Sequence, residues 1–233
     1  MTEPRVIITI DGPAGAGKST VAKLLAAALG YLYVDSGALY RLVGWQAAEN
    51  HLDLDDARAL SAFLERLQPE VAADTQGFHL VLNGREISQV LREPRVSREA
   101  SRVAVLPQVR EWVTARLRHL AANGGVVAEG RDLGTVVFPR AKAKFYLDAS
   151  LETRALRRRQ DWQSEDASPE KVARELAERD RRDSTRAAAP MRVPADAVVI
   201  DTTNLNPQEV ARQCLARIRE VFPGTDGLEM KTG

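Results

Sequence analysis

The fold is decided by the stretch Gly12-Pro13-Ala14-Gly15-Ala16-Gly17-Lys18-Ser19-Thr20. It follows the apolar, β-branched run Val6–Ile10 and precedes a segment with helical spacing of apolar residues that ends at Gly30. A glycine, four intervening residues and then Gly-Lys-Ser, placed between a strand and a helix, form the P-loop pattern. In this pattern backbone N–H groups and the helix N-terminus face phosphate oxygens. The stretch therefore predicts a nucleoside-triphosphate site.

Two side chains of this loop have defined roles in the pattern. Lys18 is expected to bridge the β- and γ-phosphates, and the Ser19 hydroxyl is expected to ligate Mg²⁺. The loop alone does not separate a kinase from a GTPase or a motor ATPase. The sequence lacks the guanine-reading Asn-Lys-x-Asp of GTPases. Its third predicted strand ends in Ala-Glu-Gly-Arg-Asp (128–132) instead of the paired acids expected of a motor ATPase.

Short apolar runs indicate five fully buried strands, each followed at once by a carboxylate. The runs are Val6–Ile10, Tyr31–Val34, Val126–Ala128, Phe145–Leu147 and Val198–Ile200, and the carboxylates are Asp11, Asp35, Glu129, Asp148 and Asp201. Helical patterns lie between the strands, which is typical of a parallel sheet with helices on both faces. All five carboxylates are then expected along one edge of the sheet.

These carboxylates allow two interpretations. Asp148 and Asp201 are expected to form turns or helix caps, as acids after strands often do. Glu129 is placed to hold a water of the Mg²⁺ shell, and a solvated strand-end acid is the alternative. The predicted metal set consists of Ser19, Asp35 and Glu129, because Mg²⁺ takes oxygen ligands.

Two segments interrupt the alternation of strands and helices. The first, roughly residues 52–94, contains a predicted helix at Asp55–Arg66 and the pair Asn83-Gly84 between alternating runs, which is a strong hairpin signal. The second segment is RALRRRQDWQSEDASPEK (154–171). It is rich in arginine and polar residues and leads into a helix that begins at Ser168-Pro169-Glu170. We expect the second segment to be a mobile cover. The tail 223–233 is expected to be flexible.

The composition limits the classes of function. At 233 residues and 44% hydrophobic, the chain is long enough to bury one core. Its net charge of +1 provides no global field for nucleic acid or an anionic membrane. The single cysteine, Cys214, excludes an internal disulfide, and we find neither a signal peptide nor an apolar run of about 18 residues. We therefore expect a soluble cytoplasmic protein.

An apolar helical stripe becomes charged in the helix that follows Ser168. The inward positions are Val172 and Leu176, and the same spacing continues to Arg179, Asp183 and Arg186. A solvated face should lie opposite the apolar stripe rather than extend it. We therefore interpret these arginines as ligands of phosphoryl oxygens.

A second unusual arginine lies on the helix that begins at Pro107. Arg110 is on the margin of that helix's apolar face, where an arginine can also extend to water. Asp132 is equally ambiguous when it is considered alone. Together, Arg110 and Asp132 suggest a polar pocket at the carboxyl edge of the sheet.

An ordered set of motifs makes the resemblance to one family specific. The motifs are IDGPAGAGKST (10–20), YVDSGALYR (33–41), REASRVAVLPQVRE (98–111), VVAEGRDLGTVVFP (126–139), KFYLDAS (144–150) and ERDRRDSTRAAAP (178–190). In order and spacing, from about residue 5 to 222, the chain resembles the bacterial cytidylate kinases. The resemblance implies an α/β, three-layer P-loop kinase core with a five-stranded parallel sheet of order 2-3-1-4-5. It also implies an inserted monophosphate-binding subdomain with an antiparallel hairpin, and a short lid.

The resemblance also implies roles for individual positions. Those matching Ser101, Arg110 and Asp132 recognise cytosine; those matching Ser36, Arg41, Arg131 and Arg186 surround the acceptor phosphate; and those matching Arg179 and Asp183 lie near the ribose. Lid arginines among Arg154, Arg157, Arg158 and Arg159 would close over the donor phosphates. We expect Lys18, Arg131, Arg157 and Arg186 to act in catalysis.

The reaction implied is ATP + CMP ⇌ ADP + CDP, with Mg²⁺ and with dCMP as a second acceptor. We expect a monomer with one kinase domain at 1–222, an insertion at about 41–100 and a lid at about 153–168. Two alternatives remain open at this stage. One is a kinase of the same architecture that uses UMP, AMP or shikimate as acceptor, and the other is a non-catalytic, nucleotide-dependent regulator.

Overall fold

The computed structural model describes residues 5–75, 77–162 and 168–222. In chain order the elements are β1 (Ile7–Asp11), α1 (Lys18–Leu29), β2 (Leu32–Asp35), α2 (Ser36–Glu49), α3 (Ala57–Arg66), β3 (Glu70–Ala73), β4 (Phe78–Leu82), β5 (Arg85–Glu86), a 3₁₀ turn (Val90–Arg92), α4 (Pro94–Val103), α5 (Pro107–Leu120), β6 (Val126–Gly130), a π-helical turn (Leu133–Val137), β7 (Ala143–Asp148), α6 (Leu151–Trp162), α7 (Pro169–Thr185), β8 (Val198–Asp201) and α8 (Pro207–Val221).

The central layer is a parallel sheet in the order β2-β6-β1-β7-β8. Counted among the sheet's own strands, this is 2-3-1-4-5, so the predicted α/β fold and strand order are confirmed. Parallel register aligns the carboxyl ends of the strands: Asp35 lies opposite Glu129, and Asp11 lies opposite Gly130 and Tyr146. The strand-end acids therefore share one edge of the sheet.

The expectation that all five strands are fully buried is wrong for β8. Val199 is 58% exposed, whereas its neighbour Ile200 is 5% exposed. β8 is an edge strand that pairs with β7 alone, and only one of its faces packs into the core. Its terminal Asp201, like Asp148 at the end of β7, accepts a hydrogen bond from a backbone N–H within the following two residues. Both acids thus serve as turn formers, as predicted.

Helices cover both faces of the sheet. One apolar cluster contains Leu39 and Leu42 of α2 together with Val113 and Leu117 of α5. The other joins α1 and α8 to the opposite face, where the thiol of Cys214 is fully buried. None of the helices within the described ranges is both long enough and apolar enough to span a membrane.

The insertion folds as a helix and a small antiparallel sheet of order β3-β4-β5. Its helix, α3, starts one residue after Asp56, whose side chain accepts hydrogen bonds from two backbone N–H groups of the first turn. Asn83 and Gly84 join β4 to β5 with φ of 51° and 74°, the paired positive values of a tight hairpin turn. The predicted hairpin is confirmed, and β3 is an additional strand that the sequence pattern did not indicate.

The predicted cover is partly helical. Residues 153–162 belong to α6, and Ser168 caps α7 by accepting a hydrogen bond from Lys171 N–H at 3.3 Å. Residues 163–167 of that segment, and the tail 223–233, lie outside the described residues.

Close packing of α2 against α4 fixes one wall of the carboxyl edge. An added Cβ at Gly44 of α2 would lie 2.6 Å from the carbonyl carbon of Glu99 and 2.7 Å from the nitrogen of Ala100, both in the α4 backbone. The two helices can approach this closely because glycine has no side chain. The contact positions Ser97 and Ser101 of α4 toward the sheet edge.

Gly44→Ala should lower the free energy of unfolding by about 1–3 kcal/mol, because α4 must move to accommodate the methyl group. Helix propensity alone acts in the opposite direction and favours alanine by about 1 kcal/mol. Urea unfolding measures the difference. Ala48→Gly, at an exposed position one turn further along α2, isolates the propensity effect. A Gly44→Ala protein at least as stable as the wild type would contradict the close approach.

Candidate active site

A cavity of about 470 Å³ opens at the carboxyl edge of the sheet. Among its lining residues are Lys18, Ser19, Asp35, Ser36, Arg41, Ser101, Glu129, Arg131, Asp132, Arg179, Asp183 and Arg186. The structure therefore brings together the predicted metal set and all the predicted substrate-binding residues except Arg110, which lies behind Asp132. We call this space the acceptor cavity.

A second cavity of about 340 Å³ lies on the other side of the P-loop. It is lined by Gly15, Ala16, Gly17, Lys18, Ser19 and Thr20, by Arg157 and Arg158 of α6, and by Thr202 and Leu205 after β8. Gly15, Lys18, Ser19 and Arg158 line both cavities. The P-loop is thus the boundary that the two spaces share, and we call the second one the donor cavity.

The backbone of the P-loop leaves no room for side chains at two of its glycines. Gly12 has φ of 142°, and an added Cβ would lie 2.0 Å from the carbonyl oxygen of Leu147. Gly15 has φ of 80°, and its Cβ would lie 2.8 Å from the carbonyl oxygen of Arg154. Glycine is therefore required at both positions if the loop is to lie flat against the sheet edge and α6.

Lys18 is held against its own loop. Its Nζ donates to the Pro13 carbonyl at 2.7 Å, and the residue is 7% exposed. Burial, reinforced by the charge of Arg131, lowers the pKa of Lys18 to about 7. An anion placed in the loop would favour the ammonium form.

One corner of the acceptor cavity is built on Asp132. Its Oδ1 accepts from Arg186 Nη2 at 3.0 Å, and its Oδ2 accepts from Arg110 Nη2. Arg110 also donates to the Ala104 carbonyl at 3.2 Å, and its guanidinium lies 5.7 Å from the centre of the Tyr40 ring. The side chain of Arg110 is 7% exposed, so it stays buried and does not extend to water. Burial raises the pKa of Asp132, although the two arginines act in the opposite direction.

Ser101 supplies an unused polar group next to this corner. The residue is 5% exposed and lines the acceptor cavity. Within the part of the chain that the structure describes, its buried Oγ has no hydrogen-bond partner. Because burying a hydroxyl without a partner is costly, this group is suited to a ligand.

The opposite corner of the acceptor cavity is strongly basic. Arg131 donates from Nε to Asp183 at 3.0 Å and from Nη1 to the Gly12 carbonyl at 2.6 Å. Arg41 pairs with Asp35 at 2.6 Å. Burial and the charge of Arg131 lower the pKa of Arg179 to about 9. This cluster of partly buried cations is suited to a phosphate group.

Ser36 completes that corner at the start of α2. Its Oγ donates to the Glu129 carbonyl at 2.7 Å. The described side chains that line the acceptor cavity include eight basic residues (Lys18, Lys23, Arg41, Arg92, Arg131, Arg158, Arg179 and Arg186) and four acidic ones (Asp35, Glu129, Asp132 and Asp183). The cavity is therefore suited to a polyanion.

Of the predicted metal set, Ser19 lines both cavities, whereas Asp35 and Glu129 line the acceptor cavity but not the donor cavity. Glu129 is buried and accepts a hydrogen bond from the Tyr33 hydroxyl, and burial together with the neighbouring charge of Asp35 raises its pKa. Ser19 also contacts Glu129. Asp35 is already engaged, since its two oxygens accept from the backbone of Ala38 and from Arg41. No cluster of three or more metal-ligating His, Cys, Asp or Glu residues occurs within the described residues.

The arginines of α6 differ in their positions. Arg157 donates to the hydroxyl and the carbonyl of Thr202 at 3.0 and 2.6 Å, and it faces the donor cavity. Arg154 is 8% exposed and donates to the carbonyls of Ala149 and Ala14 and to Asp180. It therefore fastens α6 to the P-loop and does not form part of a closing cover. Arg159 lines neither cavity.

Sequence reasoning missed several residues of the site. Tyr33 and Tyr40 line the acceptor cavity, where they contact Glu129 and Arg110. Thr202 holds Arg157. Tyr33 and Tyr40 lie in a strand and a helix with ordinary apolar patterns, and Thr202 follows the last strand, so spacing gave no signal that distinguishes these residues. Asp11 was recognised only as one of five strand-end acids.

Comparisons with known proteins agree with this geometry. The family model described as Cytidylate kinase matches residues 8–220. The cytidylate kinase of Carboxydothermus hydrogenoformans is 43% identical over 210 residues, which are 89% of this chain and 95% of that protein. The cytidylate kinase of Geobacillus thermodenitrificans is 45% identical over 221 residues, which are 94% and 97% of the two chains. That of Shewanella loihica is 41% identical over 226 residues, 96% and 98% of the two chains. The chain therefore belongs to the cytidylate kinase family.

Proposed function

We propose that this protein is a nucleoside monophosphate kinase that transfers the γ-phosphoryl group of ATP to CMP and dCMP. The observation that carries the proposal is the buried Asp132, held between Arg110 and Arg186 in a cavity that the P-loop borders. Family membership supports the same reaction.

Asp132 is suited to distinguish cytosine from uracil. Cytosine carries an exocyclic amino group, which donates a hydrogen bond to a carboxylate. Uracil has an oxygen at that position, which cannot donate. Each carboxylate oxygen has two lone pairs, so Asp132 can accept from the base while its arginines remain bound. We infer that Ser101, which lines the cavity, bonds to the ring and that Arg110, behind Asp132, takes part in base recognition by holding the carboxylate. Uracil would leave the buried Asp132 carboxylate without its donor. A mismatch of this kind accounts for a difference in kcat/KM between substrates on the order of 10⁴.

The basic corner is suited to the acceptor's phosphate. We infer that Ser36, Arg41, Arg131 and Arg186 hold its oxygens and that Arg179 and Asp183 contact the ribose. Arg131 also bonds to the first residue of the P-loop. A phosphate held by Arg131 would consequently lie close to the terminal phosphate of a donor held by Lys18.

The transfer is an in-line displacement. A CMP phosphate oxygen attacks the γ-phosphorus, the new P–O bond forms, and the bond to the β-phosphate oxygen breaks to release ADP. The acceptor phosphate is largely ionised at pH 7 because its second pKa is about 6, so no general base is required. Lys18, Arg131, Arg157, Arg158 and Arg186 offset the charge that the two polyanions bring together.

The hard oxygen donors of Ser19 and of the acceptor-cavity wall next to it fit Mg²⁺. We infer that Ser19 and Glu129 hold the ion or its waters, with Asp35 in the adjacent strand. When bound, Mg²⁺ neutralises charge on the β- and γ-phosphates. Tyr33 would orient Glu129 through the hydrogen bond that its hydroxyl donates.

The domain organisation, oligomeric state, location and partners of the protein complete the proposal. We infer a single kinase domain over residues 1–222 with an acceptor-binding insertion at about 41–100 and a lid at about 153–168. We also infer a monomer that acts in the cytoplasm on small molecules and has no nucleic-acid partner. The small net charge supports this last inference.

An acceptor screen tests the reaction. With Mg-ATP, phosphorylation of CMP and dCMP should be much faster than that of UMP, AMP or shikimate, because uracil and shikimate have no amino group for Asp132 and adenine carries its amino group on a larger, purine ring. A coupled assay of ADP release measures all five rates. Without acceptor, ADP release should be slow. A preference for UMP or AMP would refute the cytosine assignment, and inactivity with every acceptor would support a regulator.

Two substitutions separate base reading from phosphoryl transfer. Asp132→Ala should lower kcat/KM for CMP by about 10²–10³ and reduce the CMP to UMP preference, while KM for ATP changes little. Lys18→Ala should lower kcat by about 10³ with every acceptor. Steady-state kinetics with CMP and UMP measures both. Asp201→Ala, at an exposed strand-end acid of the same sheet edge, is the control. If Asp132→Ala and Lys18→Ala lowered kcat and the CMP to UMP preference to the same extent, this division of roles would be contradicted.

The lowered pKa of Lys18 predicts proton uptake when ATP binds. At pH 8 a group with a pKa of about 7 is mostly neutral, and the phosphates of ATP should restore its charge. Binding should then take up about one proton per site. Calorimetry in two buffers of different ionisation enthalpy measures the uptake. In the Lys18→Arg variant the arginine stays charged at pH 8, so this residue should take up no proton when ATP binds. Equal binding enthalpies in both buffers for the wild type would contradict the lowered pKa.

A further inference from the structure

Asp11 is a buried carboxylate that the proposed reaction does not use. It is the last residue of β1 and is fully buried between β6 and β7. A carboxylate is costly to bury, and turns are ordinarily stabilised by exposed acids such as Asp148 and Asp201. Its position immediately before the P-loop therefore requires a separate explanation.

Both oxygens of Asp11 cap the turn that follows β6. Oδ1 accepts from Leu133 N–H at 2.9 Å, and Oδ2 accepts from Gly134 N–H at 2.7 Å. These N–H groups begin the π-helical turn and have no partner within it. The capping position belongs to Asp132, but its side chain makes no cap hydrogen bond. Asp11 therefore caps the turn in place of Asp132.

The next residue, Gly12, holds the other side of Asp132. Its carbonyl accepts from Arg131 Nη1 at 2.6 Å. The turn is also confined from behind, because an added Cβ at Gly134 would lie 2.9 Å from Pro194 Cγ. Asp11 and Gly12 thus fix the residues on both sides of Asp132, while Gly12 also opens the P-loop.

We propose that Asp11 is a positioning residue for the acceptor: it holds the turn at residues 131–134 against the P-loop and leaves the Asp132 carboxylate to face the acceptor base. The inference rests on the proposed function and deepens it. Without Asp11, the Asp132 side chain, which occupies the capping position, could cap the turn itself, and capping would withdraw it from the base.

The titration of Asp11 provides an independent readout. Burial raises its pKa to about 6, although its two backbone hydrogen bonds act in the opposite direction. The titratable groups that face it are Asp132, Lys18 and Tyr146. Below that pH one oxygen of Asp11 carries a proton, so the carboxyl group accepts less well from the turn.

The test is Asp11→Asn, which keeps the shape of the side chain but replaces one acceptor with a donor. We expect KM for CMP to rise and the CMP to UMP preference to fall, each by about tenfold or more, because the turn loses a charged acceptor. KM for ATP should change by less than about threefold, since the P-loop keeps its own contacts. Steady-state kinetics measures these values.

A pH series distinguishes positioning from a purely structural role. The ratio of wild-type to Asp11→Asn kcat/KM for CMP should shrink as the pH falls from 7.5 to 5, because protonation weakens only the wild-type cap. The CMP phosphate titrates in the same way with both proteins, so its contribution cancels in the ratio. Asp148→Asn, at the exposed end of the adjacent strand, should match the wild type throughout.

Several outcomes would overturn the inference. They are unchanged CMP constants in Asp11→Asn, equal losses for CMP and ATP, and a rate ratio that does not vary with pH. If Asp11→Asn does not fold, Asp11→Glu takes its place: its extra methylene displaces the turn, and the same CMP-selective loss is expected. Wild-type activity with CMP is measured first. Its absence would contradict the proposed function, whereas unchanged variants beside an active wild type would contradict only the role of Asp11.

Discussion

Hydrogen bonds between the carboxyl end of β1 and the turn after β6 hold the candidate active site together. The Gly12 carbonyl accepts from Arg131, and the Asp11 carboxylate accepts from the two residues after Asp132. Because parallel pairing aligns the ends of neighbouring strands, these bonds place the P-loop beside the acceptor turn. Lys18 and Ser19 of the P-loop line both the acceptor cavity and the donor cavity.

The site is electrostatically prepared for anions. Burial lowers the pKa of Lys18 to about 7 and that of Arg179 to about 9, because desolvation imposes a cost on the charged form of both groups. Nucleotide phosphates would relieve this cost. Fixed charges of this kind stabilise a transition state without reorganisation, and phosphoryl transfer depends mainly on such positioning. Asp183 pairs with Arg131 and Asp132 pairs with Arg186, and these contacts fix the orientation of the two arginines.

Local signals predicted much of the fold because they depend on neighbouring residues in the chain. Asn83-Gly84 predicted a hairpin, since both residues accept positive φ, and Ser168 predicted the start of α7 through its capping hydroxyl. Arg154 shows the limit of such signals. Its sequence context is the same arginine-rich run as that of Arg157, yet its side chain is buried against the P-loop and Asp180. Arg154 bonds to Asp180 of α7 and Arg157 bonds to Thr202, and both partners follow later in the chain.

The sequence by itself determined the P-loop, the five strands with their terminal acids, and the family resemblance, because periodicity and motif spacing are properties of the linear chain. Only the tertiary structure decided which acids work together. Asp11, Asp148 and Asp201 have the same local pattern, but Asp11 lies in the central strand and is buried against the acceptor turn, while the other two remain exposed. Strand order and burial set those environments, and neither can be derived from the residues adjacent to each acid.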